Sequence, residues 1–481
     1  MSGAAAGIRV VVGLMAASLV LVMLQLLSRW IPPGQSPDES SHLVRISSLA
    51  AGRLAPVTQP GLSTGGYFDW GLDPLARVYL TEIKNIHQPV SQEDRDLVAT
   101  QRWTGKAKLG EAPGSVSVMP LAYLPAALGL ALGRALDWTV LESYHLARIS
   151  SQLFCVGLIV LAAWLWRPPV LAWAVMLLPM SLFQMCSPVV DGPAHALALL
   201  SLSLLMRLRA KPSVVLALAT PAALLVLVTV RLHMLPLLLL PLWWALASQF
   251  SNRRGSSRMP PDVARYLFLA SVAGLALCVL WVVWVLCTVV DLRVQRPMST
   301  GGVAWHYLSQ PQDLWAVVTR TLADTDRLMF YADSFIGNLG WLDTRLPEEA
   351  YEALWWGLGA LAFLSLPWFS RPGIRGIDRI LLATCAVGAV VIAFALMLLT
   401  WTPFPAVMIE GVQGRYFIAP ALVLAYALGD WPTPAASETG SAFWPWVQIA
   451  ALIGFAAVSL WFLVPTLINR YPAWTHGGLW G

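Results

Sequence analysis

Leu267–Val290 reads LFLASVAGLALCVLWVVWVLCTVV, a run without one charged side chain. As a helix it is about 36 Å long, enough to cross the ~30 Å of hydrocarbon in a bilayer. Shorter or comparable apolar runs flank it on both sides: Ile8–Leu27, Leu146–Trp164, Val170–Cys186, Ala194–Met206, Val214–Val230, Leu232–Leu246, Leu354–Leu366, Ile380–Leu399, Tyr416–Leu428 and Val447–Val464. The 481 residues are 57% hydrophobic and only 12% charged, with a mean hydropathy of +0.65. A soluble chain carries about twice that charge fraction, so a water-soluble fold is excluded. The pattern predicts an all-α, polytopic integral membrane protein with about eleven transmembrane helices.

The arginines give these helices a direction. With the N-terminus cytoplasmic, the inner connections hold Arg167, then Arg207, Arg209 and Lys211, then Arg253, Arg254 and Arg258, then Arg371, Arg375 and Arg379. The short outer connections hold almost no base except Arg231, as the positive-inside rule requires. The net charge of +5 is therefore a topology signal and not a nucleic-acid surface. Counting Val118–Leu136 as a further span reverses the later loops. It is read instead as a re-entrant or interfacial hairpin at the outer face, aided by Pro120 and Pro125.

The predicted organisation is a first transmembrane helix at 1–29, kept as an anchor rather than cleaved, and an extracytoplasmic loop with interfacial or re-entrant helices at 30–145. Transmembrane helices follow at 146–290, a second extracytoplasmic loop at 291–353, C-terminal transmembrane helices at 354–466, and an extracytoplasmic tail at 467–481. Five cysteines without a paired short spacing give neither a disulfide framework nor a zinc site.

Several polar residues at the outer ends of these helices need a reason. Asp38 and Glu39 follow Trp30-Ile31-Pro32-Pro33 directly after the first span. An acid pair there either performs proton or cation chemistry or starts the next helix as an ordinary cap. Asp191 lies in Ser187-Pro188-Val189-Val190-Asp191-Gly192-Pro193, between two spans with almost no connection. A charge at that depth is costly unless it faces water, a cation or a polar cavity, or caps a helix. Arg231 and His233 make a second tight outer turn; Arg231 either clamps a phosphate or snorkels toward headgroups. Gln413 and Arg415, after Glu410 and beside Gly411 and Gly414, offer donors at the mouth of an apolar helix. Asp69 is a further acid that can meet an acceptor or a cation, as is Glu410. The aromatic run Ser334–Pro347 is expected to lie on the bilayer surface or to close over a cavity. No phosphate-binding Gly-x-x-x-x-Gly-Lys loop, Gly-x-Ser-x-Gly elbow or His-Glu-x-x-His pair is present, so ATP-driven pumping and zinc proteolysis lack their signatures.

Five stretches together resemble one family: Ser36-Pro37-Asp38-Glu39 with His42, Pro120-Leu121-Ala122-Tyr123, the turn 187–191, the run 337–347, and Gly411-Val412-Gln413-Gly414-Arg415-Tyr416-Phe417. It is a family of bacterial polytopic membrane proteins long catalogued as having unknown function, and it is similar to a distant branch of the GT-C glycosyltransferases. The resemblance implies a bacterial plasma-membrane enzyme with its active site on the extracytoplasmic side. Such an enzyme moves a sugar from a polyprenyl-phosphate donor to a cell-envelope glycan or lipid-linked acceptor. It implies Asp38 as general base with Glu39 in support and matches Asp191 and Arg231; the reading of the residues themselves sets His233, Gln413 and Arg415 beside Arg231 on the donor phosphate, and Asp69 and Glu410 beside Asp191 as metal or acceptor contacts. It permits, without requiring, a divalent cation (magnesium or manganese) at Asp38 and Asp191. The rival reading is a transporter or flippase of a lipid-linked saccharide, which also needs intramembrane charge and a cavity.

Overall fold

The computed structural model describes residues 3–84, 90–252, 259–294, 296–366, 376–429 and 443–472. The topology-bearing arginines at 253, 254, 258, 371 and 375 lie outside them. Helices dominate, and the described strands form only two small antiparallel pairs, Gly65–Asp69 with Ala107–Glu111 and Asn338–Leu339 with Thr344–Arg345.

Each apolar run of the sequence is helical. Among the described residues, five helices are long and apolar enough to cross a membrane: Val140–Leu165, Leu232–Gln249, Pro261–Thr288, Gly376–Thr400 and Trp444–Arg470. The apolar segments Gly13–Ser28, Leu124–Ala135, Val214–Val230 and Gly414–Leu428 are shorter. On Pro261–Thr288, Leu280 and Leu286 are 64% and 67% exposed. Such large apolar faces are unstable in water and suited to lipid chains.

Several boundaries differ from the sequence reading. The helix expected from Leu146 starts at Val140, because Thr139 and Glu142 form a reciprocal capping box. The one expected from Leu354 starts at Glu348, and the last runs on to Arg470. Val170–Cys186 is not one continuous helix but two seven-residue helices, Val170–Met176 and Pro179–Met185. Pro179 lacks an N–H and forces Leu178 into an extended conformation, which ends the first helix. Val118–Leu136 is no hairpin: a single turn at Pro120–Ala122 leads into one helix, Leu124–Ala135. At about 18 Å this helix is too short to cross, and it packs against Val140–Leu165 and Glu39–Ala50.

Two helices tie the fold together. Asp191–Ala210 is almost wholly buried, with Asp191 at one end and Arg207 and Arg209 about 25 Å away at the other. Arg209 there meets Asp378 at 2.6 Å and stacks over Trp244. Ile418–Leu428 runs beside it, begun by the Gly414–Phe417 turn and ended where Arg379 donates to the carbonyls of Ala427, Leu428 and Gly429. The Ser334–Pro347 run packs inward, and the Trp341 indole N–H donates to the Gly34 carbonyl at 2.9 Å. The two large loops are thereby joined above the same helix ends.

Candidate active site

The chain leaves the first helix at Ser28 and turns before the helix Glu39–Ala50. Buried Arg148 donates to the carbonyls of Ser28, Ile31 and Pro32 at 3.3, 2.8 and 3.0 Å, supplying the donors a helix end lacks. Glu39, fully buried, accepts from the Ser36 N–H at 3.0 Å and from the Tyr144 hydroxyl. Between these anchored neighbours Asp38 is held at φ 62°, ψ 10°, a left-handed conformation that aspartate tolerates better than most residues. Its side chain keeps 52% of its surface exposed.

Arg415 reaches this acid from the other end of the sequence. Its Nη2 donates to Asp38 Oδ2 at 2.6 Å, its Nη1 to the Pro37 carbonyl at 3.3 Å, and its Nε to Gln413 Oε1 at 2.6 Å. Nη1 also lies 3.7 Å from Asp191 Oδ2, and the other oxygen of Asp191 accepts from Arg231. The result is a continuous row, Asp38, Arg415, Asp191, Arg231, in which two charges of each sign cancel. Arg415 and Asp191 are 3% and 2% exposed, so the row is sunk in protein and opens at Asp38. Burial pushes the Asp38 carboxyl up, but Arg415, the nearby His42 and the Arg415 hydrogen bond outweigh it and hold its pKa below the usual value. The acid is therefore ionised at neutral pH.

Gly414 makes the approach of Arg415 possible. Its N–H donates to Ser334 Oγ at 2.8 Å, and a Cβ there would fall 2.1 Å from the Tyr331 carbonyl oxygen and 2.2 Å from the Phe335 nitrogen. Gly414→Ala must push the helix Thr325–Ile336 away. We expect it to cost about 1–3 kcal/mol, read as a lowered thermal midpoint in detergent. Gly454→Ala, where a Cβ meets nothing within 4 Å, should be neutral or stabilising. Equal midpoints for the two variants would refute the close approach.

Three histidines surround the row. His42, one turn after Asp38, has Nδ1 at 2.7 Å from the Tyr123 hydroxyl and 3.2 Å from Ser115 Oγ. Burial drives its pKa down to about 4, against the raising effect of Asp191 and Asp38, so the ring is neutral at pH 7. His195 stands one turn after Asp191, and His233 follows Arg231. His195 Nδ1, His233 Nε2 and Ser187 Oγ are buried without a hydrogen-bond partner. Such atoms are costly in a sealed core and are accounted for when a polar ligand uses them.

Asp38, Asp191, Arg231, Gln413 and Arg415 thus come together, and His233 adjoins them. Glu39 is fully buried and both its oxygens are committed to holding the turn, so it positions Asp38. Asp69 is a structural acid. It accepts from the N–H groups of Gly71 and Thr104 and the Thr104 hydroxyl on Oδ1 and from the Gly105 N–H on Oδ2, with Arg134 3.7 Å from Oδ2, so it holds the turn at 104–105. Glu410 lies apart from the row, half exposed and 4.0 Å from Arg327. Among the described residues no three His, Cys, Asp or Glu side chains are placed to hold a metal ion. Arg415 stands between Asp38 and Asp191 and already supplies positive charge there, so this donor set does not fit the divalent cation that the resemblance permits. His42, Tyr123 and His195 escaped the sequence reading as site residues, although His42 and His195 each follow a singled-out acid by four positions.

No curated protein and no solved structure matches the chain. A family described as predicted membrane protein (DUF2142) matches residues 19–424. That match spans most of the sequence, from within the first apolar helix to the one that begins beside Arg415, and the chain belongs to this family of membrane proteins.

Proposed function

We propose that the protein is a membrane glycosyltransferase of GT-C type, moving a sugar from a polyprenyl-phosphate donor to a glycan or lipid-linked acceptor of the bacterial cell envelope. The observation that carries this reading is the row Asp38, Arg415, Asp191, Arg231, open at its carboxylate end. About eleven membrane crossings, with the row at the extracytoplasmic face of the plasma membrane, complete the reading; the apolar runs support the count, and Arg207 and Arg209 at the far end of the helix that begins at Asp191 support the orientation.

In the resting protein Arg415 is paired with Asp38. A donor phosphate entering from the bilayer competes for that guanidinium, and Arg231 adds further donors. As Arg415 turns to the phosphate, Asp38 loses its strongest stabilising charge and becomes a better base. It takes the proton of an acceptor hydroxyl while that oxygen bonds to the anomeric carbon. The bond from the anomeric carbon to the phosphate oxygen breaks, and its electron pair leaves with polyprenyl phosphate. A single displacement inverts the anomeric centre. The glycosyl phosphate bond supplies the free energy, so no nucleotide is consumed.

The test is reconstitution with a panel of polyprenyl-phosphate sugars and envelope-derived acceptors, followed by mass spectrometry. At least one donor should yield a product heavier by one sugar, together with free polyprenyl phosphate. Donor translocation across vesicles without any such product would favour the transporter reading instead.

A further inference from the structure

Next to the ion row lies a cavity of about 470 Å³. One wall is the start of the helix Thr325–Ile336 with its cap, presenting Asp324, Asp326, Arg327, Phe330 and Tyr331. The other is the extended approach to Arg415, ending at Gln413. The size suits one or two sugar rings. Its electrostatics differ from those of the ion row. Arg327 is already engaged by Asp324 at 3.4 Å and donates to the Ile409 carbonyl at 2.9 Å, so the Asp326 carboxylate leaves the cavity with an excess of negative charge. A phosphate is repelled there. A neutral polyhydroxyl ligand is not: carboxylates accept from vicinal hydroxyls, Gln413 offers an amide, and Phe330 and Tyr331, ring centroids 6.2 Å apart, offer apolar faces for C–H groups.

We propose that this cavity binds a neutral saccharide unit of the acceptor. The inference rests on the glycosyltransferase reading and adds to it the acceptor's site and charge class. Gln413 joins the two sites: it lines the cavity, while its Oε1 accepts from Arg415, which in turn holds Asp38. An acceptor seated here presents its terminal hydroxyl toward the base, while the anionic donor is directed to the arginines.

The experiment is saturation-transfer NMR on the full chain in nanodiscs. The probes are neutral disaccharides (α-mannobiose, α-1,5-arabinobiose, cellobiose and β-1,6-galactobiose), with a polyprenyl-phosphate sugar added to the same samples as a separate measurement. At least one disaccharide should bind, unaffected by inorganic phosphate at about 10 mM. Asp326→Asn and Phe330→Ala should each weaken it by about tenfold or more, while Gly454→Ala, away from both sites, leaves it unchanged. Asp326 is exposed, so its variant keeps the fold, which a matched thermal midpoint verifies. No disaccharide binding, competition by phosphate, or binding indifferent to both cavity variants would overturn the proposal. If donor binding persists in those cases, only the acceptor site is lost; if donor binding is also absent, the glycosyltransferase reading falls with it.

Discussion

Asp38→Asn is expected to reduce sugar transfer at least about 100-fold while donor binding survives or tightens. Acid–base catalysis contributes on the order of 10² to 10⁴ in rate, and an amide cannot take the acceptor proton. Asparagine is the informative replacement because it also tolerates the left-handed backbone at φ 62°, whereas alanine adds strain of about 1 kcal/mol or more. The binding half of the prediction follows from charge. In the resting site the carboxylate and the donor phosphate compete for Arg415, so removing one negative charge from a balanced row leaves it net positive and favours the anion. Turnover also carries a pH signature. Base catalysis is present above the pKa of Asp38 and lost as pH falls through it. In the free protein Arg415 keeps that pKa below the ordinary aspartate value, so the acid limb of kcat/KM lies low. With Arg415 drawn to phosphate the restraint is lifted, and the acid limb of kcat lies at higher pH. Undiminished transfer by the variant, or acid limbs in the opposite order, removes Asp38 from the role of base.

The architecture was legible because its signal is repeated along the chain. The long apolar runs are helical, Val170–Cys186 as two short helices rather than one, and the acid at 191 and the arginines at 231 and 415 stood out because charges at helix ends in lipid demand a partner. What could not be read was which acids partner what. Glu39 and Asp69 resemble Asp38 in sequence, being acids in the same loop. Their difference is tertiary: Tyr144, about a hundred residues further on, closes over Glu39, and the turn at Thr104 and Gly105 wraps Asp69. Val170–Cys186 misled for a local reason. Apolar composition reports burial, and only Pro179 hints that the backbone breaks there. The aromatic run Ser334–Pro347 was ambiguous between surface and closure, and the Trp341 bond to Gly34 supplies the long-range contact that composition cannot encode.

Arg415→Ala is expected to weaken donor binding by about 100-fold, with Arg415→Lys intermediate near tenfold. Truncating one partner of a buried, hydrogen-bonded charge pair costs about 2–5 kcal/mol, and each 1.4 kcal/mol is a factor of about ten. Lysine keeps the charge but loses the planar fork that now spans Asp38, the Pro37 carbonyl, Asp191 and Gln413. Alanine also leaves buried Asp191 with Arg231 as its remaining ion-pair partner, so some loss of stability accompanies the loss of affinity, and thermal midpoints must be measured alongside. The sharper readout is a double-mutant cycle on donor affinity. In wild type, binding must first break the Arg415–Asp38 pair, which offsets part of what the arginine gives the phosphate. In the Asp38→Asn background no such pair exists, and Arg415 contributes fully. The penalty for removing Arg415 should therefore be larger in that background than in wild type, by about 0.5–3 kcal/mol, the range for residues in one ion network. Penalties that agree within about 0.5 kcal/mol would mean that phosphate and carboxylate do not share the guanidinium, and the coupling between donor arrival and base release would have no physical carrier.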